Sequence, residues 1–130
     1  MNIKNTHIIM ELKKILSDNE IILGSYIGKT SSSLISFLLL DSLSEASVKH
    51  YVISLTNKKL YVVHLNILGS IKSINSFFIN ELIDFSLKKS FLNYNITYKF
   101  KNGESLNLKS QNISEDLIKY HKKYLKNNLK

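Results

Sequence analysis

The segment YNITYKF, residues Tyr94–Phe100, alternates strictly between apolar and polar side chains. The turn sequence KNGE, residues Lys101–Glu104, follows it, and residues 105–108 then continue the alternation with two leucines. An alternation of period two predicts a strand with one buried face, and an Asn-Gly pair between two such runs predicts a β-hairpin closed by a type I′ turn. Residues 115–127 have the spacing of an amphipathic helix. A hairpin followed by such a helix requires a sheet on which the helix can bury its apolar side.

The C-terminal helix, predicted for about residues 115–127, has well-marked ends and faces. Ser114 is expected to be its N-cap, and Glu115 and Asp116 fall in the first turn, where negative charge interacts favourably with the helix dipole. The face expected to cover the sheet carries Leu117, Ile118, His121, Tyr124 and Leu125. The opposite face carries four lysines, namely Lys119, Lys122, Lys123 and Lys126.

The sequence before this hairpin supplies a helix and further strands. Residues 6–18 have helical apolar spacing, which predicts a helix that covers the protein's own core, with docking onto a partner as the alternative. Residues 66–75 are expected to form a loop, and Gly24 a bulge or a close approach. The apolar run Leu34–Leu40 is compatible either with a strand of the sheet or with part of an insert. Strands are predicted for residues 20–28, 50–56, 60–65 and 76–88, of which the second and third form a hairpin. Glu81 and Leu82 break the alternation of the last run, which is compatible with a bulge or a loop there.

Size and composition indicate one ordinary globular domain. The chain has 130 residues and a mass of 15.0 kDa, enough for a substantial core, so residues 1–130 are interpreted as a single domain. It has no cysteine, which excludes disulfides and thiolate metal ligands and fits a cytoplasmic protein. Its longest apolar run, residues 34–40, is far too short to span a membrane, and no secretory signal is evident behind Met1.

The chain is strongly basic, and its positive charge comes from lysine alone. The formal net charge is +8, and all 18 basic residues are lysines. An AT-rich codon bias explains the absence of arginine, but the charge still raises the affinity for phospholipid surfaces, nucleic acids and acidic proteins. Because lysine lacks the bidentate fork with which arginine reads guanine, specific nucleic-acid recognition is not expected.

No set of residues matches a catalytic, cofactor-binding or metal-binding motif. His50 and His64 could face each other across the predicted hairpin as a metal pair, but no carboxylate lies at a fitting spacing, so the histidines are interpreted as structural or solvated. Glu81 and Asp84 are three apart on a predicted strand and would point to opposite faces, which excludes an acid–base pair. The segment Gly28–Thr30 lacks the first glycine of a phosphate-binding loop. We therefore expect no enzyme, no cofactor and no metal.

The lysine face of the C-terminal helix is the best candidate for a functional surface, but an ordinary solvated face is the favoured interpretation and binding to a membrane or a nucleic-acid backbone is the alternative. An anionic membrane attracts each lysine near its surface by about 1 kcal/mol. The candidate anion- or lipid-binding set comprises Lys29, Lys58, Lys59, Lys119, Lys122, Lys123 and Lys126.

Several segments resemble those of a known family. Ser54–Tyr61, SLTNKKLY, resembles the apolar-Thr-Asn/Asp-x-basic-Leu-aromatic hairpin of bacterial pleckstrin-homology-like (PH-like) and GRAM-like domains. Glu20–Leu23 resembles their opening strand. Lys101–Glu104, together with residues 114–127, resembles their closing hairpin and helix. The resemblance covers residues 20–127.

The fold that the resemblance implies is α+β. It is a bent antiparallel sheet or small barrel of about six or seven strands over about residues 20–110, capped by the C-terminal amphipathic helix, with an extra N-terminal helix. The implied function is a non-enzymatic binding or scaffolding module that recruits a protein partner, for example as a peptide along a sheet edge. Peripheral binding to anionic membrane lipid is the alternative, and nonspecific nucleic-acid binding is a further one. A homo-oligomer is compatible with all three.

Overall fold

The structure, a computed structural model, describes residues 5–30 and 48–125. The predicted run Leu34–Leu40 and the last residues of the predicted C-terminal helix lie outside these ranges. In chain order the elements are helix α1 (Asn5–Lys13), strands β1 (Ile22–Lys29), β2 (His50–Thr56), β3 (Lys59–Leu65) and β4 (Ile71–Phe78), a 3₁₀ turn (Ile79–Glu81), strands β5 (Leu82–Lys89), β6 (Tyr94–Phe100) and β7 (Ser105–Ser110), helix α2 (Glu115–Tyr120) and a π-helical segment (His121–Leu125).

The seven strands of the described ranges form one antiparallel sheet in the order β4-β3-β2-β1-β7-β6-β5. In the first half β1 pairs with β2, β2 with β3 and β3 with β4. In the second half β5 pairs with β6 and β6 with β7. The two halves are joined at one register pair, Lys29 with Lys109, so β1 and β7 meet only at a corner. The antiparallel sheet with two short helical segments after it agrees with the predicted α+β class and with the upper end of the predicted strand count.

The main core combines residues of both halves of the sheet with residues of α2. It contains the alternating face of β6, where Ile96, Tyr98 and Phe100 are buried, and α2 adds Leu117 and Ile118. Burying an apolar side chain of this size fully stabilises a fold by about 1.5–3 kcal/mol. The predicted burial of this face of the strand is confirmed.

A second apolar cluster lies on the other face of β2 and β3. Ile8 and Leu12 of α1 belong to it, together with Val52, Tyr61 and Val63 of the two strands, and all five are almost fully buried. Strands β2 and β3 are therefore covered on both faces. This explains why their sequences read as nearly continuous apolar runs.

Helix α1 is shorter than the sequence predicted. It ends at Lys13, and Ile15, which fits the helical spacing, is 52% exposed. The chain turns away because Ser17 and Glu20 form a turn of their own, in which the Glu20 N–H donates to the Ser17 carbonyl (3.1 Å). Apolar spacing alone therefore placed the helix end about five residues too late.

The hairpin of β6 and β7 is present, but its turn is not type I′. Gly103 has a positive φ of 92°, whereas among the described non-glycine residues only Asn19 does, so Asn102 lacks the positive φ that type I′ requires. The Gly103 N–H donates to the Phe100 carbonyl (3.1 Å), and the Glu104 N–H donates to Asn102 Oδ1 (2.9 Å). This pattern is typical of a three-residue hairpin loop with glycine in the left-handed region.

Strand β4 was missed by the sequence prediction. Residues 71–75, expected to be part of a loop, belong to this strand, which pairs with β3 along its length. The predicted strand over residues 76–88 is divided by the 3₁₀ turn, next to the break in alternation expected at Glu81 and Leu82. The reason is that β4 is an outer strand of the sheet. Its side chains at Ser73, Asn75 and Ser76 are exposed, so the strand has no clean apolar alternation.

The C-terminal helix begins where it was predicted. Ser114 Oγ accepts a hydrogen bond from the Leu117 N–H (3.1 Å), which makes Ser114 its N-cap. After Tyr120 the chain continues as the π-helical segment. A Cβ on Gly24 would lie 2.9 Å from Leu117 Cδ1, and the register of β1 shifts between Ile22 and Gly24. Both the bulge and the close approach predicted for Gly24 are therefore found.

Candidate functional site

The connections between strands alternate between two ends of the sheet. The register sets Lys29 beside His50, His50 beside Leu65 and Leu65 beside Ile71. Where β1 meets β7, Lys29 pairs with Lys109. Lys109 pairs with Asn95 of β6, and Asn95 pairs with Lys88 of β5. The end of β1, the start of β2, the turn 66–70, the turn 90–93 and the end of β7 therefore lie along one end of the sheet.

The described residues at this end of the sheet carry positive charge without a carboxylate. In residues 26–30, 48–52, 63–73, 87–96 and 107–112 there is no aspartate or glutamate. We call this end the basic edge. Its six lysines are all exposed, and none is in an ion pair within the described ranges. They are Lys29, Lys49, Lys72, Lys88, Lys89 and Lys109.

The opposite end of the sheet has a mixed charge. It comprises the segment before β1, the β2–β3 turn, the 3₁₀ turn with the start of β5, and the β6–β7 turn. Its lysines are Lys58, Lys59, Lys99 and Lys101, and its carboxylates are Asp18, Glu20, Glu81, Asp84 and Glu104. The asymmetry between the two ends therefore arises from where the carboxylates lie as much as from where the lysines lie.

The structure separates the lysines that the sequence analysis grouped together. Lys29 lies on the basic edge, whereas Lys58 and Lys59 lie at the opposite end of the β1–β2 pair, which at about 3.3 Å per residue is roughly 23 Å away. Lys58 Nζ donates to the Asp18 carbonyl (2.9 Å), and Lys59 Nζ lies 4.7 Å from the centroid of the Phe78 ring.

The lysines predicted on the C-terminal helix fall in two groups. Lys119, Lys122 and Lys123 are exposed on α2 and the π-helical segment. Lys126 lies outside the described residues. The three described lysines thus remain open to a polyanion, but on a helical surface rather than among the strand ends.

A cleft of about 450 Å³ opens on the basic edge. His50 and His64 both line it, together with Lys49 and Lys72, and none of its lining residues is a carboxylate. Because the register pairs His50 with Leu65 and His64 with Tyr51, the two imidazoles leave the hairpin on opposite faces and do not face each other as a metal pair. Within the described ranges no group of three or more potential ligands could hold a metal ion.

Both histidines of the cleft are held neutral near pH 7. Burial lowers the pKa of His50, and the nearby charge of Lys29 lowers it further. Burial likewise lowers the pKa of His64, with Lys72 and Lys49 adding to the effect, and its ring stacks on Tyr51 at 4.9 Å between centroids. A nearby anion would reverse the effect of the lysines and favour the protonated imidazoles.

Two turns of the basic edge present apolar side chains to solvent. In the turn after β3, Ile67 is 82% and Leu68 80% exposed. In the turn after β5, Phe91 is 95% and Leu92 69% exposed. Apolar residues in predicted loops are the signal in the sequence that could have identified these positions.

A buried chain of hydrogen bonds links the sheet to the C-terminal helix. His121 Nδ1 lies 2.9 Å from the Leu117 carbonyl, which can only accept, so Nδ1 carries the proton and Nε2 accepts from the Tyr98 hydroxyl (2.8 Å). Tyr98 in turn accepts from the Tyr26 hydroxyl (2.7 Å). All three side chains are fully buried, and burial lowers the pKa of His121 to about 4. With no path to solvent, this chain is structural.

Glu20 is a second buried polar centre that the sequence analysis did not identify. It is only 6% exposed, and its carboxylate accepts from the Thr56 hydroxyl (2.5 Å), the Tyr61 hydroxyl (3.1 Å) and the Ser17 N–H (3.0 Å). Burial opposes the charge, but the hydrogen bonds outweigh it and hold the pKa of Glu20 below its ordinary value. The carboxylate ties the segment before β1 to the β2–β3 hairpin, so this cluster too is structural.

Comparison with known proteins gives likeness of structure alone. No protein-family model and no curated protein sequence matches the chain. The C-terminal domain of an unknown protein from Leishmania infantum is similar in structure, with a TM-score of 0.56 and 12% identity over 97% of this chain and 98% of that one. The hSac2 domain of the human phosphoinositide phosphatase Sac2 is similar with a TM-score of 0.50 and 14% identity over 87% of this chain and 69% of that one. Together with the antiparallel sheet, these likenesses fit a PH-like fold.

In the part of the chain that the structure describes, no helix is both long enough and apolar enough to cross a bilayer.

Proposed function

We propose that this domain is a non-enzymatic module that attaches peripherally to anionic membrane surfaces through its basic edge. The observation that carries the proposal is the row of six exposed lysines along one end of the sheet, with no carboxylate in the described residues there. The residues that line the cleft support binding rather than catalysis, because they include no carboxylate, serine or threonine.

The charge of the basic edge is sufficient for reversible attachment. At about 1 kcal/mol for each lysine near an anionic surface, six lysines supply up to about 6 kcal/mol. The attraction acts over about 8–10 Å at physiological ionic strength, so the lysines must approach the lipid phosphates together. Five of them belong to strands β1, β4, β5 and β7 and Lys49 directly precedes β2, so the sheet holds them at one end without further ordering.

The experiment is co-sedimentation with vesicles of phosphatidylcholine alone and with added phosphatidylglycerol, at low and high salt. The test variant is Lys49→Gln/Lys72→Gln/Lys109→Gln, and the control is Lys58→Gln/Lys99→Gln/Lys101→Gln, which has the same net charge but is changed at the opposite end. We expect the test variant to lose about 100-fold in affinity for the anionic vesicles, at about 1 kcal/mol per lysine, and the control to lose far less. Equal losses in the two variants would refute a role for the basic edge, and equal binding to duplex DNA would favour nonspecific nucleic-acid binding.

Recruitment of a protein partner is the second candidate, and strand β4 favours it. β4 is an outer strand of eight residues, and between residues 73 and 78 it has no charge and no proline, the usual protections of a free edge. An extended peptide with acidic side chains could pair along it. Asn75→Lys/Ser76→Lys, outside the basic edge, would then abolish capture of a partner while leaving vesicle binding intact, whereas capture that survives both lysines would exclude β4 as the docking strand.

A further inference from the structure

We infer that the turns carrying Ile67–Leu68 and Phe91–Leu92 insert into the boundary between lipid headgroups and acyl chains, so that attachment combines apolar insertion with electrostatics. The inference rests on the proposed function and adds the part of the bilayer that the basic edge contacts. The four side chains define what we call the apolar tips.

The exposure of the apolar tips is exceptional for this protein. Nine large apolar side chains of the described residues are exposed, and the four tips have the highest values, 69–95%, against 52–60% for the other five. Single exposed apolar residues are normal on a protein surface. The tips instead occur as two adjacent pairs on separate turns at the same end of the sheet, and clustered exposed apolar side chains are typical of interaction sites.

Both turns are held in shape by their own hydrogen bonds. Asn66 Oδ1 accepts from the N–H groups of Leu68 (2.9 Å) and Ser70 (3.0 Å), and Gly69 has a φ of 85°. In the other turn the Asn93 carbonyl accepts from the Ser90 N–H (2.8 Å) and the Ser90 hydroxyl (2.9 Å). The apolar tips are therefore presented without an ordering cost on binding, which favours their use as anchors.

An anionic bilayer is the occupant that fits both features of this end. A second copy of the chain would bring six lysines against six lysines across a symmetric interface, which like charge disfavours. A nucleic-acid backbone would neutralise the lysines but offer nothing apolar to the tips. A bilayer places phosphates at the depth of the lysines and acyl chains just below. The centres of the two turns are separated by about five strand spacings, roughly 24 Å along a flat sheet and less in a bent one, so both can contact one planar surface.

A single tryptophan provides a direct test. The chain has no tryptophan, so Phe91→Trp reports on that turn alone, and Phe78→Trp, at an exposed position near the opposite end, is the matched control. On adding vesicles of phosphatidylcholine with phosphatidylglycerol we expect the emission of Phe91→Trp to shift to shorter wavelength and to be quenched by brominated acyl chains. The Phe78→Trp protein should bind equally well with no shift.

An affinity comparison completes the test. Leu68→Ser/Phe91→Ser should lose about 25-fold in vesicle affinity at low and at high salt, since each partly inserted side chain contributes about fivefold. The control Ile21→Ser/Ile83→Ser removes two exposed apolar side chains elsewhere and should bind like the wild type, with circular dichroism verifying that all variants are folded.

The outcomes separate this inference from the proposed function. Binding that sediments with vesicles but gives no spectral shift, together with unchanged affinity of the serine variant, overturns insertion and leaves the lysine-based attachment standing. Absence of wild-type binding at any salt concentration overturns both.

Discussion

Acid should weaken this fold in a pH range set by one histidine. His121 is fully buried, and both of its ring nitrogens are used in hydrogen bonds, Nδ1 to the Leu117 carbonyl and Nε2 from the Tyr98 hydroxyl. A second proton would place a positive charge in the core with no carboxylate in contact with the ring. Burial therefore lowers the pKa of His121 from 6.5 to about 4.

The sign and the size of the effect follow from this shift. The unfolded chain binds a proton at His121 below pH 6.5, whereas the folded chain resists it down to about pH 4. The contribution to stability is thus complete above pH 6.5 and is lost as the pH falls toward 4. The full loss is about 3 kcal/mol, of which about 2 kcal/mol falls between pH 7.5 and pH 5.

Urea unfolding at pH 7.5 and pH 5.0 measures this directly. His121→Gln keeps a side chain that can donate and accept hydrogen bonds but cannot titrate, and His7→Gln, at an exposed position of α1, is the control. The wild type and His7→Gln should each lose about 2 kcal/mol more than His121→Gln on acidification. His50 and His64 titrate in all three proteins and cancel, and Glu20 acts at lower pH because its pKa is below the ordinary 4.5. An identical loss in wild type and His121→Gln would refute the reasoning.

Three further results are expected. Gly24→Ala places a methyl group 2.9 Å from Leu117 Cδ1 and should lower the free energy of unfolding by about 1–3 kcal/mol. Thermal and urea unfolding measure this loss, and an unchanged stability would contradict the close contact. Glu20→Gln keeps the shape but removes the charge that its donors stabilise, so it should cost about 2 kcal/mol at pH 7 and progressively less as the pH falls below 4.5 toward the lowered pKa of Glu20. A loss independent of pH would show that the charge has no role. Vesicle binding should strengthen between pH 7.5 and pH 5.5, because the pKa values of His50 and His64 are lowered in the free protein and an anionic surface favours their charged forms. A His50→Gln/His64→Gln variant that keeps the pH dependence of the wild type would argue against this.

Structural features that depend only on residues close together in the chain could be predicted from the sequence. The hairpin over residues 94–110 and the N-cap at Ser114 depend on local alternation and local side chains, and both are found, although the turn of the hairpin is a three-residue loop and not the predicted type I′ turn. Strand β4 was missed because an outer strand exposes polar side chains, so its apolar period is weak. The end of α1 depends on the turn to Glu20, whose partners Thr56 and Tyr61 lie far along the chain, and no local pattern contains that information.

The candidate site required the topology. Lysines 29, 49, 72, 88, 89 and 109 are spread over eighty residues of sequence, and only the register of seven strands brings them to one end. The sequence grouping of Lys29 with Lys58 and Lys59 did not take account of strand direction. Successive turns of an antiparallel sheet alternate between its two ends, so residues that flank the same strand at opposite ends cannot share a surface.

The alternation of turns also separates composition from function. A codon bias toward lysine would enrich both ends of the sheet equally, and lysines do occur at both ends, six at one and four at the other. Such a bias does not explain why five carboxylates lie at the mixed end and none in the described residues of the basic edge. Nor does it explain why the most exposed apolar side chains lie among lysines that form no ion pair with any described residue. The proposed membrane-binding role therefore accounts for where the carboxylates and the apolar tips lie, and the number of lysines by itself does not argue for that role.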